Sequence, residues 1–204
     1  AYCKDFQGNF WLFGGYTYDQ ATSTPGESND LWKYDPVTNE WTWVAGETFI
    51  NAYAVYGNKG FPSPANRPAA KSSAVGWADI DGNFWVFGGY GFSQTIQGYV
   101  NDLWKYEKDL DQWTWVKGDS TVDTQGNFGV QGVASTLNTP GTKQYARGWT
   151  DAVGNFYLFA GSGTASGGTG GYMNDLWKFG PTHTLPVQLV SFYGKRSRAM
   201  STLQ

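Results

Sequence analysis

Short runs of aromatic and β-branched residues alternate with glycine-rich polar stretches along most of the chain. The run Phe84–Phe87 (FWVF) is typical of a strand, because such side chains fit a pleated, half-buried surface. A Gly-Asn turn signal precedes this run and a double glycine ends it. Further on, Trp113–Val116 (WTWV) alternates large apolar with small residues, which indicates a strand with one packed face. The pattern predicts an all-β chain of short strands.

The same series of elements occurs three times. The motifs GNFWLFGGY, GNFWVFGGY and GNFYLFAGS begin at Gly8, Gly82 and Gly154, which are 74 and 72 residues apart. A second motif, NDLWK, follows each of them, at Asn29, Asn101 and Asn174. A fixed period in an all-strand sequence indicates a solenoid, a propeller or an array of repeats.

These motifs resemble the kelch signature, in which a double glycine is followed by a spaced tyrosine and tryptophan, here Tyr34 with Trp41 and Tyr106 with Trp113. The resemblance covers roughly residues 5–180. It extends to the galactose oxidase central domain and, more narrowly, to long kelch-like repeats of secreted bacterial proteins. It implies one four-stranded propeller blade for each repeat. We therefore expect a kelch-type β-propeller fragment of about three antiparallel blades with 72–74-residue repeats.

The repeats divide the chain into four parts. The first repeat has a truncated inner strand and a long inter-blade loop, and the third has a missing or altered fourth strand before a C-terminal linker or strand. The expected boundaries are 1–66, 67–138, 139–180 and 181–204. Because propellers need four to eight blades, we expect an incomplete ring that requires additional blades or self-association to close.

Three further expectations concern the detail of the repeats. The innermost strands are predicted at Ser72–Asp79 and Gln144–Asp151. The long links carry an aromatic residue at matching positions, Tyr56 and Phe128, so we expect them to be ordered and packed on the blades. The asparagine of each NDLWK motif can bond to backbone amides and fix the end of a loop.

Composition narrows the classes of partner. Charged residues make up 15% of the chain, aromatic residues 18%, and the net charge is −3. A general nucleic-acid or anionic-membrane partner is therefore disfavoured. No apolar stretch is long enough to form a transmembrane segment. Cys3 is the single cysteine, so an internal disulfide is excluded.

The sequence offers little catalytic chemistry. His183 is the single histidine, and Cys3 has no histidine base within the repeats. Carboxylates recur at matching turn positions, which indicates turn chemistry, since an enzyme needs one asymmetric site. We assign no catalytic or metal-binding residue and expect no cofactor. A calcium ion on the plentiful Asp, Asn and carbonyl oxygens is left open without assigned ligands. The resemblance implies a secreted or cell-surface bacterial protein.

The remaining candidates for ligand contact fall into two groups. The first lies at the channel-side entrance of the inner strands and comprises Lys71, Ser72, Lys143 and Tyr145. The second comprises loop aromatics between the second and third strands: Tyr16, Tyr18, Tyr90, Phe92, Tyr99 and Tyr172. These residues favour a non-catalytic scaffold that binds a protein or a glycan. The alternative is a part of a larger propeller enzyme acting on carbohydrate, with its catalytic groups in other blades.

Overall fold

The computed structural model describes residues 1–19 and 22–181, and the backbone of residues 189–192. The first sheet consists of β1 (Tyr2–Lys4), β2 (Phe10–Asp19), β3 (Thr24–Asp35) and β4 (Glu40–Ala45) in that order. Every pairing in it is antiparallel, and the register of β2 shifts between Phe13 and Gly15. The predicted Gly-Gly break is thus a local irregularity in this sheet, beyond which the two strands continue as a long hairpin.

The second repeat contains the short strands β5 (Pro62–Ser63) and β6 (Lys71–Ser72), followed by β7 (Val75–Ala78), β8 (Phe84–Phe87), β9 (Tyr90–Phe92), β10 (Gln97–Tyr99), β11 (Leu103–Glu107) and β12 (Gln112–Lys117). The second sheet has the order β5-β12-β11-β8-β7, while β6, β9 and β10 form a separate small sheet at its end. β5 belongs to the first predicted repeat but pairs with β12, so the link between repeats contributes to the following sheet.

The third repeat follows the same plan with β13 (Lys143–Gln144), β14 (Arg147–Thr150), β15 (Phe156–Phe159), β16 (Ser162–Thr164), β17 (Gly170–Tyr172) and β18 (Leu176–Phe179). β19 (Leu189–Phe192) completes the third sheet in the order β14-β15-β18-β19. The fourth strand expected to be missing or altered is therefore present, and part of the predicted 181–204 linker supplies it. Its sequence differs from Trp-Thr-Trp-Val, but its strand-forming residues take the same position beside β18.

The predicted inner strands are interrupted. Ser73 and Tyr145 have φ values of +57° and +55°, and each ends a short strand that pairs with the neighbouring hairpin. The innermost strands proper begin after these residues, at Val75 and Arg147. The prediction of continuous strands from Ser72 and Gln144 was wrong, because a left-handed residue turns the chain at the same point in both repeats.

The sheets stack through two aromatic cores. One face of the first sheet, with Trp11, Phe13 and Leu31, packs against the second sheet. The facing side of the second sheet comprises Phe84, Val86, Trp104, Tyr106 and Trp113. The opposite face of the second sheet packs in the same way on the third sheet, against Phe156, Leu158, Trp177 and Phe179. Each repeat therefore buries a matching set of side chains against its neighbour.

The links lie on the sheets as expected. Tyr56 is buried with its ring 5.2 Å from that of Trp104, and Phe128 lies 4.9 Å from Trp177 in the same relationship. The described residues form no helix, and none of their sheets closes into a ring. In the same part of the chain, no helix is long and apolar enough to cross a membrane.

Candidate functional site

The two lysines of the predicted entrance site are buried. Lys71 Nζ lies 2.6 Å from Asp102 Oδ1, and both side chains are fully enclosed. Lys143 Nζ lies 2.7 Å from Asp175 Oδ1 and also contacts the carbonyl of Ala160 at 3.2 Å. Burial lowers the pKa of Lys143, and the attraction of Asp175 opposes that effect. Neither ammonium group faces an entrance open to a ligand, which corrects the expectation for both positions.

The other two residues of that group are separated from each other. Ser72 Oγ donates a hydrogen bond to Glu27 Oε1 at 3.2 Å and so joins the first hairpin to the second repeat. Tyr145 is exposed, and its backbone N–H donates to Ser73 O at 3.1 Å. The predicted entrance site is thus two buried ion pairs within repeats and two contacts between repeats, and only Tyr145 is exposed.

The loop aromatics are distributed over three hairpins. Tyr90 and Tyr99 face each other across one hairpin with ring centres 5.3 Å apart. Phe92 packs edge-on against Tyr53 at 5.3 Å. Tyr172 is 97% exposed on the third repeat. These residues do not form one surface, whereas Tyr16 and Tyr18 on the first hairpin line a common groove.

This first-sheet groove has a volume of about 610 Å³. Its apolar walls come from aromatic and aliphatic side chains, and two carboxylates lie beside them. The residues that line it include Tyr16, Asp30, Trp32, Trp43, Glu47 and Phe49. Trp43 and Phe49 are about half exposed, at 47% and 52%. Such a concave aromatic surface with a few polar groups has the features of a ligand-binding site.

Asp30 is the polar centre of the groove. The indole Nε1 of Trp32 donates to Asp30 Oδ2 at 2.6 Å, and Ser28 Oγ donates to Asp30 Oδ1. The matching Asp102 accepts from Trp104 at 2.8 Å in the same way, but it also receives Lys71 and the hydroxyl of Tyr56. Within the described part of the chain, no lysine or arginine pairs with Asp30.

The remaining acidic residues of the repeats brace turns. Asp79 accepts from the backbone and side-chain nitrogens of Asn83 at 2.9 and 3.0 Å, and from Trp85 Nε1 at 2.9 Å. Asp5 and Asp151 make the matching contacts to Asn9 and Asn155. These bonds lower the pKa of Asp151, with the Asn155 side chain as the largest cause. The predicted turn role is confirmed for Asp79 and Asp151, whereas Asp102 and Asp175, which were also predicted at turns, pair with buried lysines.

The asparagines of the NDLWK motif hold the start of the links. Asn29 Oδ1 accepts from the Glu47 backbone at 2.9 Å, and Asn101 Oδ1 accepts from the Asp119 backbone at the same distance. Both bonds span 18 residues and reach the link after the fourth strand, so they are not the bonds to local backbone amides that were predicted at the start of the third strand. Cys3 is largely enclosed, and burial raises the pKa of its thiol, which disfavours the reactive thiolate.

Metal chemistry has little support in this part of the chain. No group of three or more His, Cys, Asp or Glu side chains with metal-binding geometry occurs among the described residues. His183 lies outside the described residues.

The groove tryptophans Trp32 and Trp43 were not among the predicted site residues. Their copies Trp104 and Trp115 pack in a core, so the strand pattern alone could not separate them. The exposure of each tryptophan depends on whether a link packs over its sheet, and the motif itself does not encode this.

Comparison with known proteins shows that solved structures share the fold of this chain. No family model matches the chain. No curated protein matches its sequence. Solved structures with a similar fold are numerous, at 107 chains, and one of them is titled "Structure of YjhT". It aligns with a TM-score of 0.54 and 14% identity, over 96% of this chain and 51% of that one. The likeness shows the fold alone, and this chain spans about half the length of that protein.

Proposed function

We propose that this chain is a non-catalytic binding scaffold: an open portion of a kelch-type β-propeller that holds a protein or glycan ligand in the first-sheet groove. The repeated motifs and the stacking of three sheets with four, five and four strands support the propeller assignment. The aromatic cores give the rigidity that a binding surface needs, because each sheet is fixed to its neighbour over a whole face.

One observation carries the proposal. The positions that form the groove in the first repeat are filled by the chain's own link in the second. Trp104 and Trp115 there contact the ring of Tyr56, while Trp32 and Trp43 line the open groove. The groove is therefore a preformed receptor, built by the same elements that bind an aromatic group elsewhere in the molecule.

The chemistry of the groove indicates what it can hold. Tryptophan and tyrosine faces offer large contact areas with polar edges, which suit both aliphatic faces of sugars and aromatic side chains. Asp30 adds a carboxylate at one side, while Glu47 lies 3.2 Å from Arg67 and is already paired, so a ligand with hydroxyl or ammonium donors for Asp30 is favoured. The resemblance to repeats of secreted bacterial proteins supports a place outside the cell for this interaction.

The proposal is tested with two probes, a printed oligosaccharide array and a peptide array, each incubated with labelled chain. Trp43→Thr and Tyr16→Ser are the groove variants, and Val37→Ser and Val153→Ser are matched controls at other exposed positions. We expect bound spots whose signal falls at least about tenfold in the groove variants, a loss of about 1.4 kcal/mol, and stays unchanged in the controls. Binding on neither array, or binding indifferent to Trp43, contradicts the proposal.

A further inference from the structure

The link before the second sheet shows how such a groove is occupied. Its strand β5 pairs with Trp113 and Thr114 at the edge of the sheet. The backbone N–H of Gly60 donates to Trp115 O at 2.8 Å, and Asn66 Nδ2 donates to Trp113 O at 3.0 Å. The link therefore docks by adding a short strand to β12, and backbone bonds set its register.

Side chains of the link add specific contacts. The ring of Tyr56 lies 5.2 Å from Trp104 and 4.7 Å from Trp115, and its hydroxyl donates to Asp102 Oδ2 at 3.0 Å. Lys59 Nζ lies 4.1 Å from the centre of the Trp115 ring and donates to Gly118 O at 2.7 Å. The occupant thus contributes one aromatic ring and one cation on the tryptophan pair, and Lys71 supplies a second cation to the aspartate.

The first sheet carries every receptor group of this interaction. Its edge strand β4 presents Trp41, Thr42 and Trp43 where β12 presents Trp113, Thr114 and Trp115. The other receptor groups, Trp104, Asp102 and Gly118, have their counterparts in Trp32, Asp30 and Gly46. Trp41 is 55% exposed, whereas Trp113 is 4% exposed. The receptor is complete, and no described segment lies on it.

We propose that the first-sheet groove and the edge of β4 bind an extended peptide segment of the same kind as residues 52–72, supplied by another repeat. Its chemistry is a tyrosine or phenylalanine, a lysine three residues later, and a second lysine that pairs with Asp30. This inference rests on the proposed function and names the class of ligand that the groove holds. The segment adds a strand to β4, and its ring enters between Trp32 and Trp43.

Charge supports this occupant. No lysine or arginine of the described residues pairs with Asp30, whereas the matching Asp102 pairs with Lys71 at 2.6 Å. A lysine on the incoming segment can therefore pair with Asp30 as Lys71 pairs with Asp102.

The experiment titrates the 204-residue chain at pH 8 with a synthetic peptide of residues 52–72. This peptide has no tryptophan, so any change in emission comes from the eleven tryptophans of the chain, and comparison with Trp43→Thr identifies the part that comes from the groove. We expect a saturable blue shift. The peptide carrying Tyr56→Ala and Lys59→Ala should bind at least about tenfold more weakly, because ring and cation contacts are each worth about 1 kcal/mol.

Protein variants locate the binding site. Trp43→Thr and Asp30→Asn should each weaken the peptide at least about tenfold. Trp149→Thr, at a tryptophan 46% exposed on the third sheet, should leave affinity unchanged. Circular dichroism and thermal melting confirm that each variant remains folded. Equal binding of the peptide to the parent chain and to Trp43→Thr, or no binding, overturns the inference.

Two outcomes separate this inference from the proposed function. If the peptide fails while a glycan or another peptide binds in a Trp43-dependent manner, the scaffold function stands and the occupant is wrong. If light scattering shows a dimer that Trp43→Thr dissociates and that the peptide of residues 52–72 does not displace, the occupant is another surface of a second copy, and the inference is again overturned.

Discussion

Lys71 and Asp102 form an ion pair of 2.6 Å with neither side chain exposed, and the pair joins the start of one repeat to its third strand. Lys71→Met leaves Asp102 buried without its cation, so we expect the free energy of unfolding to fall by about 3–5 kcal/mol. Urea denaturation measures this. Lys105→Met is the control, because its pair with Glu107 is partly exposed and worth at most about 1 kcal/mol. A loss of about 1 kcal/mol or less for Lys71→Met would contradict the structural role of this buried pair.

The aspartate at each Gly-Asn turn is a second structural centre. Asp79→Ala removes the acceptor for Asn83 and Trp85 and leaves buried donors unsatisfied, so we expect a loss of at least about 2 kcal/mol. Asp109→Ala should cost far less, because that side chain is 82% exposed. Thermal unfolding of both variants makes the comparison. A small loss at Asp79 would contradict the bracing role.

Glu27 gives a pH-dependent prediction. Its side chain is 3% exposed, Oε2 has no hydrogen-bond partner among the described residues, and burial raises its pKa while the Ser72 hydrogen bond opposes that effect. The folded state therefore holds this proton more tightly than the unfolded chain. The stabilising effect of this bound proton is complete below pH 4.5, the ordinary pKa of a glutamate, and is lost as the pH rises through the raised pKa of the folded state.

Glu27→Gln removes the buried charge. At pH 7 we expect the variant to unfold at higher urea concentration than the parent, with a gain on the order of 1 kcal/mol. Near pH 4 the gain should disappear, since the parent carboxyl is then protonated as well. Glu40→Gln, at an exposed position, should change stability at neither pH. A gain that persists at low pH would rule out the charge as its cause.

The repeat, the strand order and the turn chemistry could be predicted because they depend on local pattern. Gly-Asn turns and aromatic runs each follow from residues close in sequence or fixed by the period. The burial of Lys71 and Lys143 could not be predicted in this way, because the position of a lysine in a repeat does not reveal whether its side chain is buried. The signal lay in the distant aspartates, Asp102 and Asp175, which recur at nearly the same separation from each lysine.

The groove escaped prediction for a related reason. Trp41 and Trp113 each begin the same Trp-Thr-Trp-Val motif, and only packing against a neighbouring sheet determines which of them is buried. β19 was equally hidden, since its sequence shares no motif with β4 or β12 while its pairing with β18 completes the sheet. Local sequence sets the strand, whereas the packing of whole faces determines exposure.

The central claim is that the first sheet presents, open to solvent, the face that its copies bury. Trp41→Thr and Trp113→Thr test it directly, because the two changes are identical in chemistry and in local sequence. The measurement is the free energy of unfolding of each variant by urea denaturation. We predict a loss of about 3–5 kcal/mol for Trp113→Thr, whose ring fills the core, and less than about 1 kcal/mol for Trp41→Thr. Equal losses would contradict the account, because they would mean that both faces are buried or both are open.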